Sequence, residues 1–262
     1  AGAIHRASAG GHPQLAMALI QSLAAGGWAR SALARLLGQD SGAELEIERR
    51  AARERLMAAL PSEASTLLLR TSLIGGRFDR GMALALGDIE PAIAMAGASL
   101  DRLIGAWIET LSREHMRVSP LIEGAARDVM SDTECRIIHH CIADRILDQS
   151  NISVFDADLL TRHALRSGDA AQAFALANSI LTSSEDMLET LATFTGDLQR
   201  LDCKKPILPA YLPTSAMLRL AQLLLLVQKG TAEEVRACWD ALQDERGYAP
   251  GSTLFESLIY SK

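Results

Sequence analysis

Cys135, His139, His140 and Cys141 lie close together, and thiolate and imidazole are the ligands a zinc ion prefers. On a helix, Cys135 and His139 share a face while His140 and Cys141 turn away, so one or two of them at most can meet a single ion. The same helix needs Ile138, Cys141 and Ile142 for its apolar side, and no metal site is assigned. His115 falls in a polar turn and His163 on a helix before Gly168. With no acid, base and nucleophile at local spacing, each reads as a surface or satisfied core histidine. No GxxxxGK[ST], HExxH or GxSxG occurs, so the backbone cradle for phosphates, the zinc-protease helix and the nucleophile elbow have no counterpart. No catalytic residue is assigned, and the chain by itself is not expected to be an enzyme.

The elements behind these residues are helical. Of 262 residues, 48% are hydrophobic and only 4% aromatic, and Ala and Leu recur at three- and four-residue spacings, which favours helix packed on helix. A net charge of −6 with no basic run argues against strong binding of a phosphate backbone. The four cysteines form no CxxC pair and read as free thiols of a cytoplasmic protein. The longest apolar run, Leu223–Val227, is far short of the roughly 20 residues a membrane crossing needs. With neither a leader pattern nor an initiating Met, the N-terminus reads as that of an excised fragment.

Three regions are expected. Residues 1–60 read as a helical lid subdomain. Gly11-His12-Pro13 opens its first helix, with Pro13 at a position where a missing N–H costs nothing. Gly26-Gly27 ends that helix before Trp28, and a further helix from Ala43 to about Leu60 carries a charge cluster of Glu46, Glu48, Arg49, Arg50, Arg53, Glu54 and Arg55, with Glu46 and Arg50 paired, read as a solvated face.

Residues 61–131 read as a winged helix. Helices are expected over about 62–73, from Asp79 to Gly87 and from about Pro91 to Gly105. A hairpin follows, from Trp107–Leu111 and Met116–Val118 around the turn Ser112–His115, and then a helix with Ser119 as its cap and Pro120 at its first position. Residues 132–262 read as TPR-like helical hairpins, turned at Gly168-Asp169 and at Gly230-Thr231, where Thr231 and Glu234 make a capping box. The two glycines are not one period of about 34 residues apart, so no regular array is assigned. The three prolines between Lys204 and Pro213 make that stretch a connector. The fold class is thus mainly α with a small β-hairpin.

This order resembles the C-terminal half of the nucleotide-binding module of STAND-class signalling ATPases (NB-ARC and MalT-like proteins). Gly11-His12-Pro13-Gln14-Leu15-Ala16 resembles the "GxPLAL" motif that opens the family's lid, and Gly27-Trp28 resembles the pair that ends its first helix. Leu67–Leu73 with Phe78-Asp79 is similar to the first winged-helix segment. The resemblance implies that Pro13 packs on the adenine of bound nucleotide, with Gly11 and His12 shaping the turn. It also implies that Ser119 occupies the place of the family's sensor histidine near the diphosphate, where its hydroxyl could donate to a phosphate with help from the helix dipole or could simply cap its own helix.

The phosphate loop, the Mg²⁺ ligands and ATP or ADP would belong to the parent protein's upstream nucleotide-binding domain, and this chain would itself hold no cofactor. Its role would be regulatory: to close over the nucleotide by rotation near Leu60-Pro61 and to pass the nucleotide state to the helical repeats, which would meet a protein partner. Two other readings stay open: a nonenzymatic helical scaffold, and a transcriptional regulator of MalT-like type. Pro91–Gly105 carries the single cation Arg102 beside Asp101, which argues against direct DNA readout.

Overall fold

The computed structural model describes residues 57–120, 122, 124–149 and 153–245, together with residues 20, 50, 53 and 54. Two compact units divide the chain, Ala1–Asp132 and Thr133–Lys262. Helices dominate both, and the strands form one small antiparallel sheet. The lid motif Gly11-His12-Pro13 lies outside the described residues.

In the first unit, helix α1 (Ser62–Ser72) buries Leu67 and Leu68 completely and carries Glu63 in its first turn, where a carboxylate suits the dipole. Gly75, at φ 68°, turns the chain into strand β1 (Arg77–Phe78). Asp79 then caps α2 (Arg80–Gly87) by accepting the Met82 N–H at 2.6 Å. Helix α3 (Ala96–Leu103) starts later than the expected Pro91. The reason is Arg70 of α1, whose guanidinium donates to the carbonyls of Leu86, Ile89 and Pro91 at 2.8–3.0 Å and holds the connection as a loop. The Glu90–Pro91 peptide within it is cis. Where α2 ends, a Cβ on Gly87 would stand 2.6 Å from that of Ala96, so only glycine lets the two helices approach this closely.

Strands β2 (Ile108–Thr110) and β3 (Met116–Val118) make the expected hairpin, with Glu109 opposite Arg117. Strand β1 adds to the other edge, placing Phe78 opposite Met116 and giving the order β1-β3-β2. Met116 and Val118 face the core and Arg117 faces out, the alternation of a sheet with one covered side. In the turn, the Ser112 hydroxyl accepts the N–H groups of Glu114 and His115.

The helix expected from Pro120 does not start there. Ser119 donates its N–H to the Trp107 carbonyl at 2.7 Å, which carries the ladder one residue past β3, and its own carbonyl accepts a turn bond from the Ile122 N–H. Gly124, at φ 79°, redirects the chain and α4 (Ala125–Val129) follows it. The upstream charge cluster also departs from a solvated face. Arg50 pairs with Glu54 in the open, whereas Arg53 is buried and bound to Asp128 of α4.

The second unit is helical throughout its described residues. Helix α5 (Asp132–Leu147) packs Ile138, His139, Ile142 and Ile146 inward; Cys141, expected in this core, is only half-buried. A Ser153–Asp156 capping box opens α6 (Val154–Ser167), and Gly168 at φ 70° closes it. Asp169 caps α7 (Ala170–Leu181) through the N–H groups of Ala171 and Gln172. Two helices without a local expectation follow, α8 (Glu185–Phe194) and the short α9 (Gly196–Gln199).

Helix α10 (Leu212–Lys229) has Pro213 in its first turn, so that proline opens a helix and does not belong to the connector. It packs against α7, α8, α9 and α11 (Ala232–Glu245) and is buried around most of its circumference, as the central helix of a bundle must be. The Thr231–Glu234 capping box is present at 2.7–3.2 Å.

Candidate functional site

Of the residues proposed to contact nucleotide, only Ser119 is described. It is half-buried at the end of β3, and the next helix among the described residues, α4, begins at Ala125.

On the exposed side of the first unit two described arginines are paired with carboxylates. Arg80 donates to Asp101 at 2.7 Å, and Arg117 to Glu109 at 2.7 Å. The Arg80 hydrogen bond holds the Asp101 carboxyl below its ordinary range, and Asp101 in turn raises the Arg80 guanidinium. Each pair offsets charge that a nucleic-acid backbone would otherwise attract.

The buried polar groups of the second unit form two clusters. In the first, His139 of α5 and His163 of α6, 5% and 0% exposed, meet through their Nδ1 atoms at 2.7 Å. One ring must donate and the other accept, so the pair holds at most one proton between these two nitrogens. The histidines expected to be a possible ligand and a core residue are therefore partners across two helices. Beside them, Gln172 of α7 donates to the His140 carbonyl and to Asp144 at 2.9 and 2.7 Å and receives the Ser167 hydroxyl. His140 stays outside, 3.1 Å from Asp144.

The second cluster is built on Arg219, 0% exposed in the middle of α10. Its guanidinium reaches Glu245 of α11 at 3.2 Å, Gln222 at 2.7 Å, and the carbonyls of Asp202 and Lys205 at 3.3 and 2.5 Å. Gln222 passes the network on to the carbonyls of Gln199 and Leu201. Ser215 accepts the Ile207 N–H and donates to Glu245. The contacts to the Gln199, Leu201, Asp202 and Lys205 carbonyls and to the Ile207 N–H draw residues 199–207 onto α10, so the proline connector is pinned in part by a buried cation. Two thiols lie in the same place: Cys238 of α11 donates to the carbonyl of Arg219 itself, and Cys203 follows Asp202. Burial, with the facing Cys203 thiol adding to it, pushes the Cys238 thiol up to about 12.

Among the described residues no three His, Cys, Asp or Glu side chains gather as metal ligands, and no described helix is long and apolar enough to cross a membrane. No protein-family model, curated protein or solved structure matches the chain. The sequence itself carries a signal for the Arg219 cluster. Arg219 and Gln222 interrupt an otherwise apolar run from Leu218 to Val227, and a charge inside such a helix must find partners. Arg70 in Leu67–Leu73 carried the same signal.

Proposed function

We propose that this chain is the regulatory portion of a STAND-type signalling ATPase, a lid and winged helix followed by a helical arm. One observation carries the reading: the connectivity helix, strand, helix, helix, hairpin with β3 central, succeeded by an all-helical unit in the described residues. That is the order expected downstream of a phosphate-binding domain in the family the lid motif resembles. In this reading Gly11, His12 and Pro13 close on the adenine of an ATP or ADP whose phosphates and Mg²⁺ are held by the preceding domain. Ser119, at the end of β3, would stand near the diphosphate.

The pivot also moves. Because Arg53 is bound to Asp128, the helical stretch before Pro61 turns together with the winged helix, and rotation takes place ahead of it rather than at Leu60-Pro61. The helical arm carries the change to a protein partner. Direct DNA readout is not part of the reading, since the exposed Arg80 and Arg117 are already paired with Asp101 and Glu109.

The test is calorimetric titration of ADP into the natural polypeptide that contains this chain and, separately, into the chain alone. The reading expects heat of binding from the first and none from the second. Tight binding by the chain alone, or none by the longer polypeptide, refutes it.

A further inference from the structure

Besides holding the connector, the Arg219 network sets two exposed patches of opposite charge side by side, and this placement is independent of the nucleotide reading above. Residues 203–211 carry Lys204 and Lys205 and no carboxylate, and both lysines are exposed. Arg219 bonds the carbonyls of Asp202 and Lys205, on either side of Lys204, so the backbone that carries the lysines is fixed before any partner arrives. Exposed Pro209 and Tyr211, the latter 50% exposed, continue this patch. Helix α11 has five carboxylates and the single cation Arg236. Glu234 caps the helix and Glu245 is buried on Arg219. That leaves Glu233, Asp240 and Asp244, all exposed, at i, i+7 and i+11 on the side turned away from buried Cys238 and Leu242. Trp239, 38% exposed, flanks the stripe.

Because Arg219 bonds the connector and Glu245 at the end of α11 at once, the basic and acidic patches are neighbours. Within one chain they do not satisfy each other: among the described residues Lys204, Lys205, Glu233, Asp240 and Asp244 take no ion pair. We propose that the patches meet in a second copy of this chain. In this two-fold dimer Lys204 and Lys205 of one copy lie on Asp240 and Asp244 of the other, the reverse contact forms at the same time, and Tyr211 and Trp239 are the aromatic anchors. A surface bearing both signs side by side is complementary to its own copy turned through a half-circle. An acidic partner would instead set like charge against the α11 stripe, and a basic one against the lysines.

The test is sedimentation equilibrium of the purified chain over a range of concentrations and salt. The expected result is an association that stops at the dimer and weakens about tenfold between about 0.1 and 1 M salt, as the Debye length falls from about 10 to about 3 Å. Lys204→Glu with Lys205→Glu, and separately Asp240→Lys with Asp244→Lys, each oppose like charges in both contacts and should weaken dimerisation about 100-fold. All four positions are exposed, and unchanged far-UV circular dichroism checks that the variants fold. Mixing the two variants in equal amounts should restore the dimer, since both contacts are then attractive. The proposal is overturned if the wild-type chain stays monomeric, as it would with its own residues 246–262 or a different protein covering α11. It is equally overturned if association ignores salt or grows beyond two copies, or if the mixed variants remain apart.

Discussion

Replacing Arg219 with methionine isolates the contribution of the buried cation, because the stem volume is kept and the guanidinium is lost. Glu245, 7% exposed, would be left as a buried carboxylate with only the 3.5 Å Ser215 hydroxyl contact among those described. Breaking one partner of such a pair costs about 3–5 kcal/mol. The carbonyls of Asp202 and Lys205 also lose their donor, but the connector can lift and let water reach them, so their loss adds little on top. A total of about 4 kcal/mol divided by an m-value of about 2 kcal/mol/M gives a fall of about 2 M in the urea midpoint of the second unit. Urea titration followed by far-UV circular dichroism reads the midpoint, and hydrogen exchange reads the connector, where the amide of Ile207 should lose protection first. Adding Glu245→Leu should return about half of the loss, since no buried charge then remains. A midpoint shift below about 0.5 M for Arg219→Met, or a double variant worse than the single one, would refute the assignment of Arg219 as the clasp of this unit.

Three further outcomes follow from the packing. Gly87→Ala should destabilise the first unit by about 1–2 kcal/mol, the clash with Ala96 outweighing the better helix propensity of alanine; Ala96→Gly in the same chain should relieve it, and a stabilised single variant would contradict the close approach. Arg70→Met should expose amides of the 88–95 loop to exchange and cost about 3 kcal/mol, with Arg70→Lys restoring only part because an ammonium cannot span three carbonyls. His163→Leu should cost about 1–3 kcal/mol by taking the partner from His139 Nδ1, and unchanged thermal melting would show that the ring pair does not matter to the fold.

Where the signal was local, the sequence could be read. Asp79, Asp169 and Thr231 cap helices because the bonded N–H lies two or three residues on, and the hairpin follows from an apolar run on each side of Ser112–His115. Strand β1 was not legible: two residues have no propensity of their own and exist as a strand only through Met116 and Arg117. The delayed start of α3 shares that origin, set by Arg70 reaching across the unit. Arg53 departs from the expected solvated face because its partner, Asp128, is distant in sequence. The His139–His163 contact joins two helices whose histidines carry no mutual spacing rule. Of the expected site residues, Gly11, His12 and Pro13 fall outside the described part, and Ser119 is described at the end of β3.

The nucleotide lid is the centre of the account, and Pro13 is its most exposed commitment. Calorimetric titration of ADP into the natural polypeptide, wild type against Pro13→Ala, should show the variant binding about tenfold more weakly, the loss of one apolar contact on a purine. Equal affinity in the two proteins, or no binding by the wild type, would contradict it.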